Sequence, residues 1–186
     1  MPRRSAGLLP YHLEPGSGLT VFIVHPGGPL HANKEDGGWT IAKGEYGPDE
    51  EPLAAARREF SEEVGRPPPD ADPVPLGEIR QPGGKLVVAW GVEARPEALA
   101  FAGSNLFEME WPPRSGRRAR FPEVDRGEWV SEEVARRRLG KGQVAFLDRL
   151  LELVRPALTP GQALGSSSAT SEGDTTSGCE ASELVT

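Results

Sequence analysis

The stretch from Gly44 to Gly65, GEYGPDEEPLAAARREFSEEVG, decides how the rest of the chain is read. Its second half is a helix by every local sign. Pro52 suits a first helical turn, where its missing N–H is no loss. Leu53, the alanines at 54–56 and the arginines at 57 and 58 are strong helix formers. Gly65 and the prolines at 67, 68 and 69 stop the helix. At about 100° per residue, Leu53, Ala56, Phe60 and Val64 fall on one apolar stripe. Glu59, Glu62 and Glu63 are spaced i, i+3, i+4 and share a second face beside it. Like charges so placed repel by a few tenths of a kcal/mol per pair, roughly, even in water. An ordinary solvated face interleaves lysines, and this one does not. Clustered carboxylates without such relief suit a hard divalent cation, which takes oxygen ligands from carboxylates and from substrate phosphates.

The full pattern is more specific than an acidic helix. Gly44, then five residues, Glu50, then seven residues, then Arg58-Glu59-Phe60-Ser61-Glu62-Glu63-Val64-Gly65 resembles the Nudix (MutT-like) hydrolase motif G-x5-E-x7-R-E-U-x-E-E-x-G, where U is apolar. Every fixed position is present, with Phe60 as the apolar one. The family pattern continues with another apolar residue, where this chain has Arg66. The resemblance implies an α/β fold, a Nudix-type α/β/α sandwich in which a curved mixed sheet lies between helices and a loop-helix-loop carries catalysis. It implies Mg²⁺, or Mn²⁺, held by Glu59, Glu62, Glu63 and the Gly44 carbonyl. It also implies that Glu50 and Arg58 pair and brace the loop against the helix.

Composition bounds the alternatives. The chain has 186 residues, a formal net charge of −7 and one cysteine, Cys179. No internal disulfide can form, which suits a reducing, cytoplasmic setting. The longest apolar run, around Val21 to Val24, is far too short to span a bilayer, and the N-terminus lacks the apolar core of a signal peptide. Residues 157–186 carry four carboxylates and no Lys or Arg. Their Ser, Thr, Gly and Ala composition predicts a disordered tail behind a domain spanning 1–156. The mildly acidic body argues against a stable nucleic-acid complex. The expected partner is a nucleotide or polyphosphate substrate, with no membrane, on a monomer or homodimer.

Working outward, Ser5 to Leu13 reads as a first strand, with Pro10 tolerable only at an edge or a bulge. Leu19 to His25 reads as a buried strand. His25 has no His or Cys partner at metal spacing and is read as structural. Trp39 to Ala42 reads as a short strand delivering the chain to Lys43 and Gly44. In the family this approach often runs Pro-Lys-Gly, and here Ala42 replaces the proline. The resemblance places Lys43 beside substrate phosphate; a solvated strand-end lysine is the bland alternative. For Gly44 that alternative is a tight turn needing positive φ.

Leu76 to Arg80 and Lys85 to Ala94, joined by Gln81-Pro82-Gly83-Gly84, form a hairpin. The second strand is apolar on both faces, as a covered strand is. In SNLFEMEWPPRSGRRARFPE, residues 104–123, Glu108 and Glu110 share one face of a strand. Arg114, Arg117, Arg118 and Arg120 follow within seven residues. Arginine forks suit phosphate oxygens, so Arg114, Arg117 and Arg118 are read as a substrate-phosphate rim rather than a merely solvated basic loop. The wording of this stretch also resembles a bacterial Nudix subgroup known only as predicted nucleotide pyrophosphohydrolases. Ser131 caps a helix to Leu139, and Gly142 to Arg155 forms another that Pro156 ends.

The implied reaction is metal-assisted hydrolysis of a phosphoanhydride in a nucleoside diphosphate linked to another group, either a nucleoside triphosphate or a dinucleoside polyphosphate. The candidate catalytic carboxylates are Glu59, Glu62 and Glu63. Glu63 leads as general base, ahead of Glu110 and Glu108 outside the helix. The rival is a non-catalytic nucleotide-sensing module; such modules commonly lose carboxylates that this chain keeps.

Overall fold

A computed structural model describes residues 3–14 and 18–158. Its spine is β1 (Arg4–Glu14), a long strand buried along most of its length. One side of β1 pairs in parallel with β5 (Leu86–Glu93), which in turn pairs antiparallel with β4 (Val74–Arg80). The other side is shared. Residues 5–8 face β3 (Ala42–Glu45), and residues 11–14 face β2 (Gly18–Pro26), which leads to β8 (Val124–Ser131) at the far edge. The main sheet is therefore mixed, in the order β4-β5-β1-β2-β8 with β3 added on β1.

Pro10 sits in the middle of this central strand, not at an edge. The Arg3 and Tyr11 carbonyls accept from Leu86 and Ala94, so odd-numbered residues turn their backbone toward β5. Even-numbered residues, Pro10 among them, turn toward the other side. There the pairing passes from Leu8↔Ala42 to Tyr11↔Val21. The missing N–H falls at the gap between two neighbours, where no ladder bond is lost.

Alternation along the strands fills two cores. One face carries Leu9, Tyr11, Val21, Ile23, Ile41, Val87 and Ala89 beneath α2 (Glu132–Arg138) and α3 (Val144–Leu158). The other carries Ala6, Leu8, Phe22, Val24, Ala42 and Val92 beneath α1 (Pro52–Val64). Helices on both faces of a mixed sheet make the α/β/α sandwich. The apolar stripe of α1 is as expected, with Ala55 joining Ala56, Phe60 and Val64 in burial while Leu53 is only partly covered. Gly65 ends α1 with φ 70°, its N–H on the Ser61 carbonyl. A side chain there would strike the Gly103 carbonyl, so this glycine answers both a left-handed cap and a close approach.

Three expectations need correction. The strand near residue 40 begins three residues late. Trp39 and Thr40 make only single bridges, to Leu139 and Val24, and β3 starts at Ala42. The arginine stretch is not a loop throughout. Arg118–Pro122 forms β7, antiparallel to β6 (Leu106–Glu110), with Arg118 opposite Glu110 and Arg120 opposite Glu108. These strands form a separate two-stranded arm. Residues 124–131, ahead of the helix that Ser131 caps, form β8. Finally, α3 runs through Pro156 to Leu158. A proline this late forfeits only the bond to the Glu152 carbonyl, and Glu152 is exposed to water. Ala157 and Leu158 are thus helical, and the remainder of the expected tail, 159–186, lies outside the described residues. No helix among the described residues is long and apolar enough to cross a membrane.

Candidate active site

The site forms where α1 crosses β3. In β3, Ala42 and Gly44 lie on the α1 face and Lys43 alternates to the other, beside Gly7. Gly44 is not in a turn and has no positive φ. It is glycine because a Cβ there would coincide with the Glu59 carboxylate. A side chain there finds room only if the Glu59 carboxylate moves off the strand. Glu59 is therefore laid directly against the strand, with 13% of its side chain exposed.

Glu63 reaches the same strand one residue earlier, and its Oε2 accepts the Lys43 N–H at 2.8 Å. Its carboxyl is pushed up to about 7, by burial first; the Lys43 charge and N–H oppose this while Glu59 and Glu123 add to it. Lys43 meets Glu63 through its backbone. Its ammonium pKa is lowered by burial first and by Lys85, against Glu63, Glu59 and Glu45, and the residue is half-buried. Glu62 is more open, with 38% of its side chain exposed.

Arg58 binds this face together more widely than the sequence suggests. Its Nε and Nη2 donate to both oxygens of Glu50, at 2.9 and 3.0 Å. Its Nη1 donates to Glu59 at 2.7 Å and reaches Glu62 at 3.3 Å, and Nη2 also reaches the Glu45 carbonyl at 3.4 Å. Its pKa is raised, by the Glu50 bonds first and the Glu59 bond next. The helix carboxylates are thus not without relief, as their spacing alone suggests. A guanidinium one turn away serves two of the three and leaves Glu63 to the strand.

A fourth carboxylate arrives from outside the helix, and sequence reasoning missed it. Glu123 joins β7 to β8. Its N–H donates to the Asn105 carbonyl at 2.8 Å, and Asn105 in turn donates to the Glu62 carbonyl at 3.1 Å. Gly27 closes the other side, donating to the Glu123 carbonyl at 2.9 Å. The Glu123 carboxyl is raised by partial burial, then by Glu59 and Glu62. Only the pairing of the arm places it there. A glutamate at the end of Arg-Phe-Pro-Glu bears no local sign of it.

Glu108 and Glu110 are brought to the arm's polar face, where both are engaged by the arm itself. Glu108 is ion-paired with Arg118 and lies 3.8 Å from Arg120. Glu110 accepts the Gly116 N–H at 2.8 Å and closes the tip. Arg118 is therefore engaged within the arm. Arg114, at φ 64°, and Arg117 sit at the tip with no ion-pair partner among the described residues.

His25 is structural, as read. It is wholly buried, its Nδ1 lies 2.7 Å from Asp125 Oδ1 and its Nε2 lies 3.2 Å from the Lys34 carbonyl. Its ring stands edge-on to Trp39, which is covered by Arg126 and Arg138 at 5.2 and 4.8 Å. This cluster fastens the 27–38 loop to β8, close to Glu123.

Among the described residues, no three acidic, His or Cys side chains are already drawn into a metal-like cluster. The donor chemistry nevertheless fits a hard cation: carboxylate oxygens from Glu59, Glu62, Glu63 and Glu123, with Glu59 seated in the cradle that Gly44 leaves open.

The sequence matches the NUDIX domain family over residues 2–150. Among solved structures, the chain is similar to a Caenorhabditis elegans Ap4A hydrolase binary complex at 18% identity and TM-score 0.57, covering 83% of this chain and 98% of that one. It is similar to a MutT/Nudix family protein from Listeria innocua at 16% identity and TM-score 0.56, covering 84% and 97%. No curated protein matches the sequence. The chain belongs to the Nudix family, and as a member it is a pyrophosphohydrolase.

Proposed function

We propose that the protein hydrolyses a phosphoanhydride bond in a nucleoside triphosphate or dinucleoside polyphosphate, with Mg²⁺ or Mn²⁺, at the crossing of α1 and β3. The observation that carries this reading is the seating of Glu59 and Glu63 against the Gly44 strand, with Glu62 and Glu123 alongside Glu59. Glu59, Glu62, Glu63, Glu123 and the Gly44 carbonyl would hold the cation. Bound there, it would polarise phosphate oxygens and lower the pKa of a coordinated water.

The chain's own residues orient that chemistry. Arg58 holds Glu59 and Glu62 at fixed positions through Glu50. The Lys43 N–H points one oxygen of Glu63 toward the strand and leaves the other to receive a proton. Glu63, half-buried against the strand, is the general base, with Glu123 next. Glu110 and Glu108 rank lower because their oxygens serve the arm. Arg114 and Arg117 at its tip remain available to phosphate oxygens.

The experiment is single-turnover hydrolysis of ATP and diadenosine tetraphosphate with Mg²⁺. Glu63→Gln and Glu123→Gln each lose at least about two orders of magnitude in rate, the scale for removing a base or a positioned ligand. Parental rates in Glu63→Gln defeat the assignment. Tight nucleotide binding with no turnover in the parent favours a sensing module.

A further inference from the structure

Glu123 stands at a joint, after β7 has ended and before β8 begins, outside regular strand pairing. The segment from Leu99 to Asn105 ties that joint to the end of α1. Trp129 Nε1 donates to the Leu99 carbonyl at 2.9 Å. The Ala102 and Asn105 N–H groups donate to the Val64 and Glu62 carbonyls, at 2.9 and 3.1 Å. Those carbonyls lie in the last turn of α1, where no intrahelical donor remains, so the segment docks on the helix without competing with it. The Asn105 carbonyl in turn accepts the Glu123 N–H.

One side chain completes the link. Val124 opens β8, the last strand of the sheet, and so has β2 on one side and no strand on the other. Ser104 Oγ accepts the Val124 N–H at 2.9 Å and donates to the Val124 carbonyl at 2.8 Å. A hydroxyl, with one proton and two lone pairs, can do both at once. It takes the place of the absent strand for this one residue. The Asn105 carbonyl, 3.0 Å from the same oxygen, is a second acceptor within reach of its proton. Val124 is buried, so water is a poor substitute for the hydroxyl.

We propose that Ser104 is the positioning residue for Glu123. Its hydroxyl fixes the backbone of Val124, and with it the place from which the Glu123 side chain reaches Glu59 and Glu62. Ser104 acts only through that carboxylate. The proposal deepens the catalytic reading and rests on it in one respect, that Glu123 serves the cation or the reacting water. Removing an outer hydrogen-bond partner of this kind costs about 10–100-fold in metal affinity or activity.

The test compares the full chain with Ser104→Ala, Ser104→Thr, Glu123→Gln and the Ser104→Ala/Glu123→Gln double variant. Mn²⁺ binding is followed by water-proton relaxation without nucleotide. Turnover with Mg²⁺ is measured on ATP or diadenosine tetraphosphate, whichever the parent hydrolyses faster. Ser104→Ala weakens Mn²⁺ at least about fivefold and lowers kcat at least about tenfold, with KM for the nucleotide within about twofold. Ser104→Thr, which keeps the hydroxyl, returns both to within about threefold of the parent. In the Glu123→Gln background Ser104→Ala changes neither by more than about twofold, because the group it positions is already gone.

Equal losses from Ser104→Ala in both backgrounds mean a general loosening of the fold and overturn the proposal. So does parental behaviour of Ser104→Ala, or a Ser104→Thr as deficient as the alanine. If Ser104→Ala does not fold, Ser104→Cys, whose thiol is a weak donor and acceptor, carries the same comparison. Where the parent turns over nothing, the Mn²⁺ comparison decides alone, and a parent that binds no Mn²⁺ overturns the proposal. A Glu123→Gln variant parental in both measurements sinks the assignment of Glu123 and the proposal with it. A deficient Glu123→Gln beside a parental Ser104→Ala sinks the positioning role only.

Discussion

At the scale of single residues, Gly44 shows a motif position whose reason is not in its neighbours. Its side chain is missing because a carboxylate from another element occupies the place. Gly44→Ala should therefore cost little stability, since the obstructing atoms are the mobile end of Glu59. It should cost activity heavily, at least about a hundredfold in kcat, as displacement of a positioned group does. Equal kinetics with an unchanged melting temperature would refute that account. Glu63 gives a second test. Its folded pKa, about 7, stands above its usual 4.5. The stability it contributes is fully present below 4.5 and is lost as pH rises through 7. Glu123, also raised, acts with the same sign. His31, lowered by burial first, acts oppositely near its own titration. In EDTA, the melting temperature of the parent minus that of Glu63→Gln should fall steadily from pH 4.5 to 7; a difference that does not change with pH counts against the burial of this carboxyl.

At the scale of elements, α1 was legible because periodicity and capping are local. Its stripe, its proline start and its glycine stop all appear where expected. The pairing of Glu50 with Arg58 came from the resemblance, and the structure adds Glu59 and Glu62 to the same guanidinium. One planar fork serving three carboxylates is not replaceable by a point charge. Arg58→Lys should keep the helix yet lower kcat by at least about tenfold, an outcome read by kinetics beside far-UV circular dichroism; full activity would mean the fork is dispensable. The β6–β7 arm was half legible. Alternation in Phe-Glu-Met-Glu marked one strand, while the arginines hid its partner, because charge reads as loop unless the opposing Glu108 and Glu110 are known. Gly27 tests how the arm seats Glu123. A Cβ there would strike the Pro122 carbonyl, which is backbone and cannot swing aside. Gly27→Ala should cost about 1–3 kcal/mol, the range for overpacking, and lower turnover as well. Urea denaturation and turnover assays measure the two, and a variant parental in both would mean that Gly27 does not seat Glu123.

At the scale of the whole molecule, the 27–38 loop and β8 are held to the sandwich through His25. Replacing it with alanine leaves Asp125 without its buried partner and Trp39 without its ring contact. The expected cost is about 2–5 kcal/mol, the range for truncating a fully buried side chain to alanine, measured by chemical denaturation; a loss under 1 kcal/mol would show the latch to be idle. The sequence by itself determined helix α1 with its apolar stripe, the family, the two-faced apolar pattern of β5 and the structural role of His25. Each follows from spacing within one segment or from a fixed-register motif. Only the tertiary structure decided that Pro10 lies mid-sheet, because the exemption comes from a change of neighbour between β3 and β2. Only it brought Glu123 beside Glu59 and Glu62. These are pairings between segments far apart along the chain, set by strand register, and register between distant strands leaves no trace in local periodicity.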